Sequence, residues 1–126
     1  MIENRKKMTA LAARYPDISL PALAYPAQNP LFLDIETTGF SPQNAMIYAI
    51  GCVYRHEGEF YFHQLLAEQM YEEDQLLITL EKIMQTNTID LLVHFNGKNF
   101  DIPFLIGRYG NACLSTSLGE LPQLDF

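Results

Sequence analysis

Apolar and polar positions alternate through LFLDIE, residues 31–36. In an extended segment Leu31, Leu33 and Ile35 face one side, and Phe32, Asp34 and Glu36 face the other. Thr37, Thr38, Gly39 and Pro42 then supply a turn signal. AMIYAIGCVY (45–54) and EFYFHQLL (59–66) are rich in aromatic and branched residues and flank a polar turn containing Gly58, which predicts a β-hairpin. The period then lengthens. In EEDQLLITLEKIMQT, Leu76, Leu77, Leu80, Ile83 and Met84 fall at i, i+1, i+4, i+7 and i+8 behind an acidic first turn, the spacing of an amphipathic helix. TIDLLVHF (88–95) predicts an apolar strand and NGKN a turn. FDIPFLIGRYG predicts a helix that starts near Pro103 and stops at Gly110.

The predicted order is strand, strand, strand, helix, strand, helix. Three strands on short turns make an antiparallel meander, and a fourth reached through a helix can return parallel to the first. The predicted fold is therefore α/β with a mixed sheet. Ahead of it, Ile2, Met8, Leu11 and Ala12 have loosely helical spacing over residues 2–14, and Pro16, Pro21, Pro26 and Pro30 prevent regular structure between there and the sheet. The predicted organisation is a helical arm and Pro-rich linker over 1–30 and a domain over 31–126.

A chain of 126 residues, 48% of them apolar, can bury roughly two-thirds of its unfolded surface as one domain. Fifteen acidic residues against eight basic ones give a net charge of -7, the wrong sign for holding nucleic acid by bulk electrostatics. Any such contact has to be local. No apolar stretch has the form of an export signal or approaches the roughly 20 residues of a membrane span, so the expectation is a soluble, cytoplasmic protein. Cys52 and Cys113 have no metal-site spacing and are expected to be reduced and buried.

Asp34 and Glu36 share one face of their strand, and like charges at that spacing repel. At about 4 Å and an effective dielectric of about 20 the cost is roughly 4 kcal/mol. Protonation of one acid or a bound hard cation would offset it, while a structural reading has the polar groups satisfying turn amides. Asp101 follows the strand expected to run parallel to the first, at the carboxyl-end crevice where open α/β sheets bind ligands. It also suits a helix N-cap two residues before Pro103. His94 lies inside an apolar strand, where a satisfied core histidine is expected, and His56 and His63 read as surface or sheet-face residues of the hairpin.

LFLDIETTGF and HFNGKNFDIPFL resemble the first two motifs of the DEDD-type 3'-5' exonucleases, which have a ribonuclease-H-like fold. The first motif is matched by Asp34, Glu36, Thr37, Thr38 and Gly39, and the second by Asn96, Gly97, Phe100, Asp101, Pro103 and Leu105. The VHFNG wording and the closing LPQLDF are most similar to the YprB-like exonucleases. The resemblance implies two divalent cations, Mg²⁺ or Mn²⁺: Asp34 bridging both, Glu36 on the ion carrying the attacking water, Asp101 on the other. It further implies that Thr37, Thr38, Gly39 and Asn96 receive the 3'-terminal nucleotide of a nucleic acid, single-stranded there. Lys98 and Asn99 could add a phosphate contact, with Lys98 read as solvent-exposed.

The family also uses a fourth carboxylate and a His or Tyr base from a third motif. The acids after Asp101 are Glu120 and Asp125, and neither fits it. The expectation is thus the front part of a longer domain, short of the fourth carboxylate and the base, and with apolar sheet surface left for self-association or a partner chain. Two alternatives accompany the nuclease: a non-catalytic remnant that binds metal or nucleic acid, and a haloacid-dehalogenase-type phosphatase with Asp34 as nucleophile. The latter has Asp where Glu36 stands and leaves the Asn-Gly…Phe-Asp-x-Pro stretch unexplained.

Overall fold

A computed structural model describes residues 1–8, 29–94 and 100–125. Its strands are β1 (Ile2–Lys7), β2 (Pro30–Thr37), β3 (Ile47–His56), β4 (Glu59–Leu66), β5 (Leu91–His94) and β6 (Gln123–Asp125). The helices are α1 (Glu73–Thr86), between β4 and β5, and α2 (Asp101–Asn111), between β5 and β6. The six strands form one sheet in the order β1-β4-β3-β2-β5-β6. The β1/β4, β4/β3 and β3/β2 pairs are antiparallel, and the β2/β5 and β5/β6 pairs are parallel. The meander, the helical crossover and the parallel return are as the pattern predicts. The apolar strand is shorter than expected, at four residues.

Residues 2–7 form a strand, which corrects the expectation of helix at the start of the arm. Residues 9–28, including Pro16, Pro21 and Pro26 of the expected linker, lie outside the described residues. The physical reason for the strand is tertiary. The backbone of β1 completes the edge of β4, from Ile2↔Leu66 to Lys7↔Tyr61, while the Arg5 guanidinium lies 3.8 Å from the centre of the Tyr61 ring and its Nε donates to the Tyr54 hydroxyl at 3.0 Å. A weak helical spacing does not compete with a row of unpaired ladder groups.

Both helices pack on the face that carries Leu31, Leu33 and Ile35. There Leu76, Leu77 and Leu80 of α1 and Phe104, Leu105 and Tyr109 of α2 join one core. Each fully buried leucine contributes roughly 1.5–3 kcal/mol by leaving water. The opposite face holds a smaller cluster of Leu91 and Val93 with Phe32 and Leu124. Among the described residues no helix is long and apolar enough to cross a membrane.

Of the two places expected for His63, the structure selects the sheet face: it is buried at 5% exposure, between Glu3 Oε2 at 2.5 Å and the Tyr54 hydroxyl at 2.8 Å, because it pairs across from Cys52 on the helix-covered face. One further expectation is corrected. Cys113 is exposed, just beyond α2 in the left-handed backbone region that terminates helices (φ 57). Cys52 is buried as expected, and burial pushes its thiol up to about 12.

Candidate active site

Strand alternation places Asp34 and Glu36 on the face away from the helices, where both are exposed, while Leu33 and Ile35 are buried. The pairing of β2 with β3 shifts just beyond them, from Glu36↔Ala49 to Thr37↔Ile47, which leaves Tyr48 as an extra, exposed residue. Such a bulge bends a strand end and re-aims its side chains.

Asp101 arrives from the other side of the same strand end. Parallel pairing of Phe32 with Val93 brings the carboxyl end of β5 beside Asp34, and α2 begins after the next connection with Asp101 as its first residue. Phe100 occupies the N-cap position, so the helix starts two residues ahead of Pro103, and Asp101 lies inside its first turn and not before it. The Asp101 carboxylate accepts a hydrogen bond from the Ile35 amide, the residue between Asp34 and Glu36. It is 9% exposed and pushed up to about 6: burial raises it most, then the charge of Asp34, with a further push from Glu36. The Ile35 amide and His94 act in the opposite direction.

The three predicted carboxylates therefore share one electrostatic neighbourhood. They do not close on a point: among the described residues no group of three or more His, Cys, Asp and Glu has metal-holding geometry. Neither Lys nor Arg among those residues forms an ion pair with Asp34, Glu36 or Asp101. This hard-oxygen donor set, short of positive charge, is what divalent cations such as Mg²⁺ prefer.

Thr37, Thr38 and Gly39 form the base of the connection from β2 to β3. The Thr37 hydroxyl donates to the Gly39 carbonyl at 2.6 Å, and Thr38 Oγ1 accepts from the Met46 amide at 3.0 Å. Both hydroxyls thus shape the loop. At its tip Phe40 is 92% exposed, a feature that sequence reasoning missed because an aromatic after a turn glycine has no diagnostic spacing. Asn96, Gly97, Lys98 and Asn99 lie outside the described residues.

His94 is buried, with Nε2 2.8 Å from Gln123 Oε1 and Nδ1 3.4 Å from Asp125 Oδ1. The histidine is in the core, as the sequence predicts, but only half satisfied: Nε2 has its partner, while the buried Nδ1 makes no hydrogen bond among the described residues despite the nearby Asp125 carboxylate. On the uncovered face, Phe32, Val53, Phe62 and Val93 line an open groove of about 690 Å³ that reaches Asp34 and Glu36.

A family model described as the RNase_H superfamily matches residues 31–125. Among solved structures, the family B DNA polymerase from the hyperthermophilic archaeon Pyrobaculum calidifontis has a similar fold, with TM-score 0.61 and 15% identity. The match covers 71% of this chain and 12% of the polymerase chain. No match to a curated protein is found. The mixed sheet, its helical crossover and the family match over residues 31–125 agree: the chain belongs to the RNase_H superfamily.

Proposed function

We propose that this nuclease-type domain is a metal-dependent 3'-5' exonuclease of the DEDD type, nearest the YprB-like group, hydrolysing phosphodiester bonds at nucleic-acid 3' ends. The observation that carries the reading is the Asp101 carboxylate at the Ile35 amide, between two exposed acids on a strand end. Asp34, Glu36 and Asp101 would hold two cations, Mg²⁺ or Mn²⁺. Bound there, such ions supply an activated water and stabilise charge on the attacking and leaving oxygens.

The chain's own groups do the rest. Asp34 and Glu36 offer oxygens on the open side of the sheet, where a strand end can approach. Asp101, pushed up to about 6, is largely ionised near neutral pH and contributes its charge from beneath. The loop from Thr37 to Gly39 presents backbone to the terminal nucleotide, and Asn96 is assigned to the same contact. Phosphate contacts of this kind orient the substrate without reading sequence. Phe40 offers a ring for a terminal base, which suits single-stranded substrate in a chain of net charge -7.

The open groove beside the acid pair supports self-association or a partner chain covering that face. The two free cysteines suit a cytoplasmic setting. A second reading, a non-catalytic domain that binds metal or nucleic acid, is favoured by one observation: Asp125 engages His94 instead of joining the carboxylates.

Mn²⁺-dependent shortening of 5'-labelled single-stranded DNA and RNA, with EDTA and Asp34→Asn controls, separates the two. Stepwise shortening abolished by both controls supports the exonuclease. Thermal stabilisation by Mn²⁺ that is lost in Asp34→Asn, with no shortening, supports the binding domain.

A further inference from the structure

One buried ion pair lies outside the acid cluster and joins the segments around it. Arg108 Nε and Nη2 both meet the Glu73 carboxylate, at 2.9 and 2.5 Å, and the two side chains are 13% and 6% exposed. Both members of the pair also bind backbone. Arg108 Nη1 donates to the Pro42 carbonyl at 2.8 Å, and Glu73 Oε2 accepts from the Ile47 amide at 2.6 Å. Pro42 lies in the loop after β2, Ile47 starts β3, Glu73 starts α1, and Arg108 lies two turns along the helix that Asp101 begins.

The same loop meets α2 at a second point. A Cβ on Gly107 would come 2.9 Å from Pro42 Cβ, so the loop rests against the bare backbone of the helix. Inside the loop, the Thr38 amide donates to the Met46 carbonyl and the Ala45 amide to the Ser41 carbonyl, both at 2.9 Å. It is a closed unit attached at Pro42 to Arg108 and to the Gly107 surface, and Glu73 holds the Ile47 amide where the loop runs into β3.

We propose that Arg108 and Glu73 are positioning residues, which fix loop 38–46, and with it Thr38, Gly39 and Phe40, relative to Asp101. The role in the reaction rests on the nuclease reading; the mechanical role does not. A planar guanidinium suits it because one rigid fork reaches a carboxylate and a carbonyl together. A general hydrophobic contact would hold the helix near the sheet without setting the loop's distance from the acid.

The test uses the full chain, below its melting temperature, as wild type, Arg108→Met, Arg108→Lys and Gly107→Ala. Amide hydrogen exchange should quicken by about ten-fold or more at Thr38, Ala45 and Met46 in Arg108→Met and Gly107→Ala, and leave Ile50, Cys52 and Leu92 unchanged. Arg108→Lys should fall between. In the shortening assay, KM should rise by about ten-fold with kcat within about three-fold and Mn²⁺ affinity unaltered, because misplacement of binding groups precedes chemistry. Unchanged loop exchange, or faster exchange spread evenly over sheet and loop, overturns the proposal. So does a loosened loop with unaltered KM. A wild-type chain that shortens nothing refutes the nuclease reading, and the exchange data still decide whether the pair holds the loop.

Discussion

Asp101 accepts a hydrogen bond from the backbone amide of Ile35, so a carboxylate from the start of a helix is anchored to the strand residue flanked by two other carboxylates. The anchor holds like charges together that would otherwise separate. It also makes the arrangement sensitive to protons and to cations.

Stability should fall as pH rises from about 4 to about 6. The folded chain keeps a proton on Asp101 up to about 6, whereas an exposed aspartate releases it near 3.8. In that window the folded state binds more protons, so the stabilisation is present below the lower value and lost through the higher one. A displacement of this size corresponds to about 3 kcal/mol. Asp101→Asn should unfold at higher denaturant than wild type above pH 6 and match it below pH 4. Mn²⁺ should stabilise the wild type above pH 6 and leave the variant unmoved.

Phe40→Ala should weaken single-strand binding by about 1–3 kcal/mol, the usual worth of one stacked base. Its ring is 92% exposed, so the melting temperature should not change. Anisotropy with a 3'-labelled oligonucleotide and a thermal melt check the two statements; unaltered affinity would remove Phe40 from the substrate path.

Replacing Val53 and Phe62 by threonine should shift the chain toward monomer in sedimentation if the open face is a contact surface. Phe62 is 39% exposed, and a Cβ built on Gly51, two residues before Val53 on β3, meets nothing within 4 Å. Persistence of the same oligomer, or a wild type already monomeric at high concentration, would count against a contact there.

Tyr109→Phe should cost about 1–1.5 kcal/mol in urea unfolding without altering Mn²⁺ binding. The Tyr109 hydroxyl, almost fully buried, donates to the Leu77 carbonyl at 2.5 Å and ties α2 to α1.

The sheet from β2 to β5 was legible because its signals are local: period-two alternation at Leu31–Glu36, branched residues in the hairpin, and the wider period of α1. The grouping of the three acids was legible through two motifs and one topological step, since parallel pairing of β2 with β5 is what brings Asp101 towards Asp34. What escaped reading depends on partners distant in sequence. The residues of β1 became strand because Leu65 and Phe62 offered an edge, and His63 became buried because Glu3 and Tyr54 met it. The Arg108–Glu73 pair carried no sequence signal, because it joins the loop after β2, the start of β3, α1 and α2, which are far apart in the chain.

The placement of β1 has a kinetic meaning. Its six residues are exposed, and its side-chain tie from Glu3 to His63 closes a loop across 60 residues. Closing so long a loop for one edge ladder returns little until the β3/β4 hairpin exists. The first strand in the chain should accordingly be the last to join the sheet and the first to leave it, giving local opening well below the energy of global unfolding.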